Sequence, residues 1–408
     1  MKIAVIGGGP AGFIAAISAV ENSDIPISID IFEKHEPLKT ILLTGGGRCN
    51  ITNALYDYKE LGLNYPRGEK FLYSVFSKFG VKKTIEWFNT HGAPLYTQSD
   101  NRVFPKSDDA NTIRDVLINR ANKLNINIKA HTQVLDIEYQ NNKFIIITKN
   151  QSLEYDKVII STGGSHTNIT GSGYELAKKL GHKITELKPS LSGFIIKENK
   201  DGFAKLAGVT TNNVQITAFY KDKKITQIKG DFVFTHKGIS GPLVFKISSI
   251  CAFVDYNEST PLILKVNYVQ DKNLDEKKLI KELDENSKKD IQNILSKYLP
   301  KSLIQTLLQS KQIDLEKKAS QITKEDRKII LKLLTDHQLT AIRPVPDGEI
   351  VTAGGVELKE VNSKTMESKL VNGLYFCGEV LNIDGFTGGF NLQAAWSTGY
   401  VAGNSVFR

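Results

Sequence analysis

Three glycines near the N-terminus have the spacing that a dinucleotide pyrophosphate requires. Gly7, Gly9 and Gly12 form a G-x-G-x-x-G pattern after the apolar run KIAVI and before the helical pattern FIAAISAVEN. The first glycine permits a tight bend, the second lets the backbone approach the phosphates, and the third lets the helix pack closely on the strand. The phosphates then lie at the positive end of the helix. The pattern predicts a dinucleotide site, in which Pro10 and Ala11 line the same turn.

An acidic residue stands where the ribose of the adenosine half would be held. Glu33 follows Gly12 by 21 residues and is the last residue but one of the predicted strand ISIDIFEK, which ends at Lys34. A carboxylate there accepts hydrogen bonds from ribose hydroxyls and repels a 2′-phosphate. The strand, turn, helix and second strand make a β–turn–α–β unit of about 30 residues, the size of a mononucleotide-binding half. The alternative is a glycine-rich turn that holds no ligand.

A second glycine-rich stretch, TGGGRCNITN, covers residues 44–53. Thr44 opens the stretch. Its three glycines, Gly45, Gly46 and Gly47, make backbone N–H groups available, and Arg48, Asn50 and Asn53 add donors. Such a loop suits a pyrophosphate or the edge of a flavin ring, where donors stabilise a reduced, anionic flavin. The alternative is a tight structural loop.

Two later segments favour FAD over NAD as the dinucleotide. The segment STGGS, with Thr162, Gly163 and Gly164, ends one predicted strand, and GLYFCGE, with Gly378 and Glu379, ends another near the C-terminus. In many flavoproteins such segments close over the cofactor, and a nicotinamide enzyme rarely needs so late a return strand. The pattern at residues 171–173 lacks a third glycine, which argues against a second dinucleotide domain.

The last predicted helix opens with the run DGFTGGFNL, residues 384–392. The N–H groups of Gly388, Gly389, Asn391 and Leu392 would point at the carboxyl edge of the sheet. In a flavin fold this is the pyrimidine side of the ring.

The proton donor is not identified by the residues alone, and three residues are weak catalytic candidates. Cys49 has no partner cysteine and no evident activating base, so packing is its favoured role. Asn53 belongs to the same loop. His236 lies in FTHKGISGP, where a single histidine in a turn is more often structural than catalytic.

Composition excludes several classes of protein. The three widely spaced cysteines do not make a disulfide framework, and no clustered His/Cys set predicts a metal site. No segment approaches the roughly 20 apolar residues of a membrane span. Glycines interrupt the apolar N-terminus, so we reject an export signal and expect a cytoplasmic protein.

The net charge of +9 favours anionic partners, of which RNA is one. Residues 271–340 hold 15 basic and 12 acidic residues, so only +3 of the excess lies there. The charge is therefore spread along the chain. A generally lysine-rich surface is the alternative explanation.

The elements that must position these motifs divide the chain into an α/β domain and an insertion. Because neither end of the chain completes a sheet alone, we predict one FAD-binding domain from residues 1–190 and 342–408. Residues 191–271 with 337–341 read as a β-rich domain, and residues 272–336 as a helical subdomain. Helical patterns are predicted at 69–90, with Trp87 and Phe88 facing the core, and at 108–125, with Asp108 or Asp109 as N-cap.

Taken together, the segments resemble the HI0933-like, or aminoacetone-oxidase-like, family of bacterial NAD(P)/FAD-dependent oxidoreductases. The matching stretches are VIGGGPAG, LLTGGGRCNITN, STGGS, FTHKGISGP, VTAGGVELKEVNSKTMESK and GLYFCGEVLNIDGFTGGFNLQAAWSTGYVAG. The resemblance implies a Rossmann-like domain that binds FAD noncovalently, an inserted β-barrel-like domain and a small helical domain. It implies FAD contacts at Gly7–Gly12, Glu33, Thr44–Asn50, the backbone near Val134, Gly163, Glu379 and Gly389–Leu392.

The chain departs from the family pattern in two places. The turn after Ser165 is shorter than usual, and Asn382 stands where an aspartate is common. The first puts the substrate-side geometry in doubt, and the second any acid role at that position.

The resemblance leaves several activities open. One is flavin hydride transfer to the C=C bond of an α,β-unsaturated carbonyl, with ribosomal RNA uridine or a steroid-like enone as substrate and NAD(P)H as transient reductant. A second is oxidation of a small amine with release of hydrogen peroxide. A third is a flavin-containing binding or assembly factor. The substrate is therefore a small molecule or RNA, and the oligomeric state stays open.

Overall fold

The computed structural model describes residues 1–165, 172–269, 274–346, 348 and 350–407. The chain forms two compact units, Met1–Lys188 with Val351–Arg408, and Pro189–Ile350. The turn beginning at His166, and Gly171, lie outside the described residues.

Both units contain helices and strands. The α-helices are α1 (Pro10–Glu21), α2 (Tyr58–Gly62), α3 (Glu69–Lys78), α4 (Val81–Thr90), α5 (Ala110–Lys123), α6 (Gly173–Lys179), α7 (Pro242–Ile250), α8 (Glu276–Glu285), α9 (Ile291–Leu295), α10 (Lys301–Gln309), α11 (Lys324–Thr335) and α12 (Phe390–Gly403). The strands are β1 (Lys2–Ile6), β2 (Ser28–Phe32), β3 (Thr52–Asn53), β4 (Leu95–Thr97), β5 (Arg102–Pro105), β6 (Asn127–Lys129), β7 (Val134–Gln140), β8 (Lys143–Thr148), β9 (Ser152–Tyr155), β10 (Lys157–Ile160), β11 (Lys188–Ser190), β12 (Phe194–Ile196), β13 (Thr210–Tyr220), β14 (Lys223–Thr235), β15 (Gly238–Ser240), β16 (Leu262–Asn267), β17 (His337–Pro344), β18 (Val351–Ala353) and β19 (Leu374–Phe376).

The first unit is built on a parallel sheet with the strand order β19-β10-β1-β2-β6. Ile6 lies opposite Phe32 on one side and Ile160 on the other, and Ile160 lies opposite Phe376. The carboxyl ends of four strands therefore align at one edge. The strands are apolar runs because a parallel sheet is covered on both faces.

Helices α1 and α12 pack closely because small residues face each other. A Cβ at Gly399 would lie 2.4 Å from the Ala11 carbonyl oxygen, and one at Gly403 would lie 2.2 Å from that of Ala15. The matched order of these contacts means that the two helices run parallel. Their N-termini therefore point to the same side.

The second unit contains a closed barrel with the strand order β12-β15-β14-β13-β16-β17, in which every neighbouring pair is antiparallel. Residues of β13 alternate, with Val214, Ile216 and Ala218 buried inside. The barrel strands and helices α8 to α11 share one hydrophobic cluster, which includes Leu264 and Leu303. The Rossmann-like α/β fold with an inserted barrel and helices agrees with the prediction.

Local predictions differ from the structure in informative ways. The predicted helix at 69–90 is two helices, because the chain breaks at Phe79 and Gly80 between α3 and α4. Asp109 caps α5 by accepting a hydrogen bond from the Asn111 N–H at 2.8 Å. Between Asn127 and Ile160 the chain forms the five strands β6 to β10. The predicted return to the first unit at residue 342 falls inside β17, which pairs with β12 and β16 in the barrel.

Candidate functional site

The aligned strand ends bring the sequence motifs to one edge of the sheet. Gly7 follows β1, Glu33 follows β2, Ser161 follows β10 and Cys377 follows β19. The Ser161 N–H donates to the Ile6 carbonyl at 2.8 Å, which extends the pairing beyond the strands. Ligands of open α/β sheets bind outside the carboxyl ends of the strands, so this edge is the candidate site.

The first glycine turn, between β1 and α1, is tightly bent and closely packed. Gly7 has a φ of +107°, and a Cβ at Gly12 would lie 2.1 Å from the Gly7 carbonyl oxygen. The bend at Gly7 and the close packing at Gly12 therefore both depend on glycine. At Gly9, by contrast, no described heavy atom lies within 4 Å of such a Cβ. Space is thus open at the start of α1, where no described side chain caps the first N–H groups.

Glu33 is held by the same turn. Its carboxylate accepts hydrogen bonds from the N–H groups of Gly8 and His35, both at 2.8 Å. Glu33 is half-buried, whereas Lys34 is exposed. The Glu33 carbonyl accepts from the Thr132 N–H at 2.7 Å. Val134, the first residue of β7, follows this contact by two residues. Each carboxylate oxygen thus accepts one backbone N–H, and the group stays partly open to solvent.

The segment after β10 meets Glu379 at the same edge. Thr162 is exposed. Gly163 has a φ of +75°, and no heavy atom of the described residues lies within 4 Å of a Cβ placed there. A Cβ at Gly164 would lie 2.4 Å from a Glu379 carboxylate oxygen. That oxygen accepts the Thr352 N–H at 2.9 Å. Burial, with a smaller contribution from the nearby charge of Asp384, raises the pKa of the Glu379 carboxyl to about 7.

Gly378 joins this segment to both helices. It has a φ of +77°, and its N–H donates to the Thr398 hydroxyl of α12 at 2.9 Å. A Cβ at Gly378 would lie 2.8 Å from the Cβ of Ala11 in α1. Glycine is therefore needed here for close packing as well as for its backbone conformation.

The loop at residues 44–47 is exposed except for Thr44, whose hydroxyl donates to the Ile41 carbonyl at 2.8 Å. Gly45 and Gly46 both have left-handed backbones. The Arg48 guanidinium lies over the Phe104 ring at 4.2 Å from its centroid. One backbone edge of the loop is thus presented to solvent, while Arg48 packs against the protein.

Residues 50–53 hold the start of α12. With its amide oriented to satisfy both neighbours, Asn50 accepts the Gly389 N–H at 3.0 Å and donates to the Thr52 carbonyl at 3.0 Å. The Asn53 amide donates to the Gly388 carbonyl at 3.1 Å. A Cβ at Gly389 would lie 2.5 Å from the Thr52 carbonyl oxygen. The two motifs, distant in sequence, therefore form one structure.

The loop before α12 is closed by side chains on both sides. Asn391 exchanges hydrogen bonds with the backbone of Gly385, both at 2.8 Å. Arg67 forms a two-pronged ion pair with the fully buried Asp384. Leu392 is half-buried in the first turn of α12. Among the described residues, no side chain caps the N-terminus of this helix.

The two helix N-termini form a stepped pair. Gly399 of α12 packs directly beside Ala11 of α1. The N-cap of α12, Gly389, lies ten residues before this contact, whereas the N-cap of α1, Gly9, lies only two residues before it. At 1.5 Å per residue, the eight-residue difference sets the start of α12 about 12 Å beyond that of α1. Each terminus carries a partial positive charge. The edge therefore offers two separate sites for negative charge.

The three weak catalytic candidates, Cys49, Asn53 and His236, lie in different environments. Cys49 is fully buried, and burial raises the pKa of its thiol to about 12, which favours packing over a redox or acid role. Asn53 is buried against Gly388. His236 is exposed in the turn between β14 and β15 of the second unit, where its carbonyl accepts from Asn199.

Sequence reasoning missed some of the residues that shape the site. Arg67 lies in the stretch NYPRGE, which carries no recognisable signal. The Thr52 hydroxyl donates to the side-chain amide oxygen of Gln393 at 2.5 Å, and the Gln393 side-chain NH2 donates to the Thr84 hydroxyl at 2.9 Å. The run GGFNLQ, which places Asn391 and Gln393 in the first turn of α12, is the one clue that could have indicated polar anchoring there.

Within the described residues, no group of three or more His, Cys, Asp or Glu side chains could hold a metal ion. No helix in the described part of the chain is long and apolar enough to cross a membrane.

Comparison with solved structures shows the fold. The chain aligns over its full length with 3-ketosteroid-Δ4-(5α)-dehydrogenase from Rhodococcus jostii RHA1, covering 97% of that chain at a TM-score of 0.54 and 11% identity. It covers 78% of a flavocytochrome c3 fumarate reductase at a TM-score of 0.52 and 14% identity. At these identities, the likeness concerns architecture alone.

Comparison with known sequences shows the family. The chain is 32% identical to the 3-dehydro-bile acid delta(4,6)-reductase of Clostridium scindens, over 99% of this chain and 98% of that protein. It is 30% identical to the ribosomal RNA dihydrouridine synthase of Escherichia coli, over 98% and 97%. The HI0933-like protein Rossmann domain model matches residues 1–405. The chain therefore belongs to the HI0933-like family and is an FAD-dependent oxidoreductase.

Proposed function

We propose that this protein reduces a carbon–carbon double bond conjugated to a carbonyl group. The names of the two relatives above support this chemistry, because both describe reduction of such a bond. In a 3-oxo steroid with 4,6 double bonds, and in uridine, the C=C bond is polarised by the neighbouring carbonyl. A hydride then adds to the β-carbon and a proton to the α-carbon.

The open space at Gly9 is the structural observation that carries the proposal's cofactor, FAD. It lies at the start of α1 and beside the Gly8–Glu33 contact, where a pyrophosphate and a ribose fit. A Cβ would fill this space, although the backbone at Gly9 is of the kind that any residue adopts. The residues present therefore fit FAD, with Thr162, Gly163 and Glu379 at the neighbouring strand ends.

The start of α12 supplies the second requirement. Its first N–H groups, about 12 Å further along the site, favour an electron-rich ring edge or a carbonyl oxygen. The 44–53 loop and the Arg67–Asp384 pair hold that terminus in place. When bound, the flavin supplies the hydride, and the chain supplies orientation and electrostatic stabilisation.

We favour ribosomal RNA uridine as the first substrate to test and a steroid-like enone as the second. The net charge of +9 suits a polyanion, which supports uridine. The 32% identity to the bile acid reductase supports the enone. NAD(P)H is the expected electron donor.

An anaerobic experiment tests the reaction class. The purified flavoprotein is mixed with NADH or NADPH while the absorbance of oxidised flavin is followed. The reduced protein is then given an enone steroid or uridine-containing ribosomal RNA fragments, and products are identified by a mass gain of two hydrogens. We expect rapid bleaching followed by reoxidation with one substrate class. Bleaching by a small amine with peroxide release in air would instead indicate an amine oxidase.

Absence of turnover with every donor would favour the binding or assembly factor and overturn the proposal. A colourless protein that takes up no added FAD would overturn the cofactor assignment as well.

A further inference from the structure

The outer surface of the barrel carries a lysine-rich face. Opposite residues on neighbouring strands share one side of a sheet, and Gln215 lies opposite Lys229, while Thr217 lies opposite Gln227 and Lys265. These side chains alternate with the buried Val214, Ile216 and Ala218, and so point outwards. We define the outer barrel face by six residues, Gln215, Phe219, Lys224, Gln227, Lys229 and Lys265.

The outer barrel face is concave and polar. A depression of about 300 Å³ is lined by lysine, amide and hydroxyl side chains of β13, β14 and β16, together with the end of α11. Lys224 donates to Gln227 at 2.6 Å, and Lys265 lies 3.4 Å from the Asp336 carboxylate. Both partners of the second contact are more than two-fifths exposed, so the pair is weak and competes poorly with a phosphate.

An aromatic ring lies within this polar surface. Phe219 is half-buried, and the Lys265 ammonium lies 5.5 Å from its ring centroid. Lysines that contact phosphates, amides that bond to base edges and an aromatic ring on which a base stacks are the three components of single-stranded nucleic-acid sites.

We propose that the outer barrel face binds a single-stranded segment of the RNA substrate. The inference rests on the proposed function for its choice of RNA. Charge complementarity selects a polyanion, and the Phe219 ring selects unpaired bases, because the bases of a duplex are already stacked on each other. The amides of Gln215 and Gln227 add hydrogen bonds that a plain electrostatic surface lacks.

The test compares two triple variants of the FAD-loaded protein with equal loss of charge. The face variant is Lys224→Gln/Lys229→Gln/Lys265→Gln, and the control is Lys277→Gln/Lys301→Gln/Lys324→Gln, which removes exposed lysines of α8, α10 and α11. Binding of a short fluorescent uridine-containing RNA is measured by anisotropy, as a single strand and as a duplex. Thermal unfolding checks that each variant is folded.

We expect the face variant to bind the single strand about tenfold or more weakly, and its log–log salt slope to fall by about two. The control variant should retain nearly wild-type affinity. Phe219→Leu should weaken single-strand binding while leaving the salt slope unchanged. Equal losses in the two triple variants, or equal affinity of the wild type for strand and duplex, would overturn the inference.

A second readout separates this inference from the proposed function. The face variant should reduce a small enone or a free uridine nucleotide as fast as the wild type does. Loss of RNA binding in a protein that reduces neither substrate would leave the RNA surface standing and remove the proposed reaction. Intact RNA binding in the face variant, with normal reduction of a C=C bond, would remove the surface alone.

Discussion

Arg67 and Asp384, which are 317 residues apart, form a buried two-pronged ion pair at the loop before α12. The Asp384 side chain is fully buried and that of Arg67 is 14% exposed. The Tyr65 hydroxyl donates to the Phe390 carbonyl at 2.6 Å, and the Phe386 N–H donates to the Asn64 carbonyl at 2.9 Å. The segment at 64–67 thus fixes the position of the α12 N-terminus.

Removing one partner of this pair should destabilise the first unit. Arg67→Met removes the guanidinium that pairs with the buried Asp384 carboxylate. We expect the free energy of unfolding to fall by about 3–5 kcal/mol. Arg67→Lys keeps the charge without the planar fork, so its loss should be smaller. Denaturant midpoints measure both. The control is Arg114→Met, whose pair with Asp115 is 32% and 55% exposed and should cost less than about 1 kcal/mol. Similar losses for Arg67→Met and Arg114→Met would contradict the assigned role.

Two alanine substitutions in the first glycine turn should separate binding from folding. Gly9→Ala places a methyl group in open space, so we expect FAD affinity to fall by about tenfold or more while the flavin-free protein keeps its stability. Gly12→Ala puts a Cβ 2.1 Å from the Gly7 carbonyl oxygen and should cost about 1–3 kcal/mol, despite the higher helix propensity of alanine. FAD fluorescence titration and melting curves provide the two readouts. Unchanged affinity in Gly9→Ala would place the phosphates elsewhere.

Replacement of Glu33 should weaken FAD retention. Glu33→Ala removes an acceptor for ribose hydroxyls, and charge-assisted hydrogen bonds of about 1.5–3 kcal/mol imply a loss of roughly ten- to a hundredfold in affinity. The matched control is Glu36→Ala, an exposed acid nearby that contacts His131. FAD content after gel filtration is the measurement. Equal retention by the wild type and Glu33→Ala would refute the ribose assignment.

Asn50→Ala should alter the flavin environment through α12. The substitution leaves the Gly389 N–H without the acceptor that Asn50 provides, which loosens the helix start. We expect a shifted flavin reduction potential and slower turnover, with a stability loss of about 1–3 kcal/mol. The control is Asn89→Ala, which removes a loop contact to the Leu95 N–H. An unaltered spectrum together with unaltered kinetics would place the 44–53 loop outside the active site.

Glu379 should make the stability of the flavin-free protein depend on pH. Its pKa is raised from 4.5 to about 7, so the folded state binds more protons than the unfolded state between these values. Stability should therefore fall as the pH rises from about 4.5 to about 7, by up to about 3 kcal/mol. Glu379→Gln keeps an acceptor for the Thr352 N–H without the charge. Thermal unfolding of the wild type and the variant is measured across this pH range, and the difference between their stabilities isolates the contribution of Glu379. Stabilities that change with pH by the same amount in both proteins would contradict the raised pKa.

Local elements were predictable because their causes lie within a few residues. The run KIAVI, the glycine turn and the apolar helix that follows form the predicted β–turn–α unit. The contacts of Gly7 and Gly12 follow from the same spacing. The breaks were harder to predict, because Phe79 and Gly80 interrupt a periodicity that continues on both sides. Likewise, β17 extends to Pro344 because it finds partners in the barrel.

The sequence by itself determined the glycine turn, the acid that follows it and the family to which the segments belong. The tertiary structure alone decided that α12 runs parallel to α1 with its start about 12 Å further on, and that Asn50 meets Gly389. It also decided that Arg67 meets Asp384. These contacts join residues hundreds of positions apart, and they depend on which faces pack and in which register. One sequence contains no periodic pattern that predicts such long-range contacts. Backbone conformation and burial, by contrast, are encoded over a few neighbouring residues.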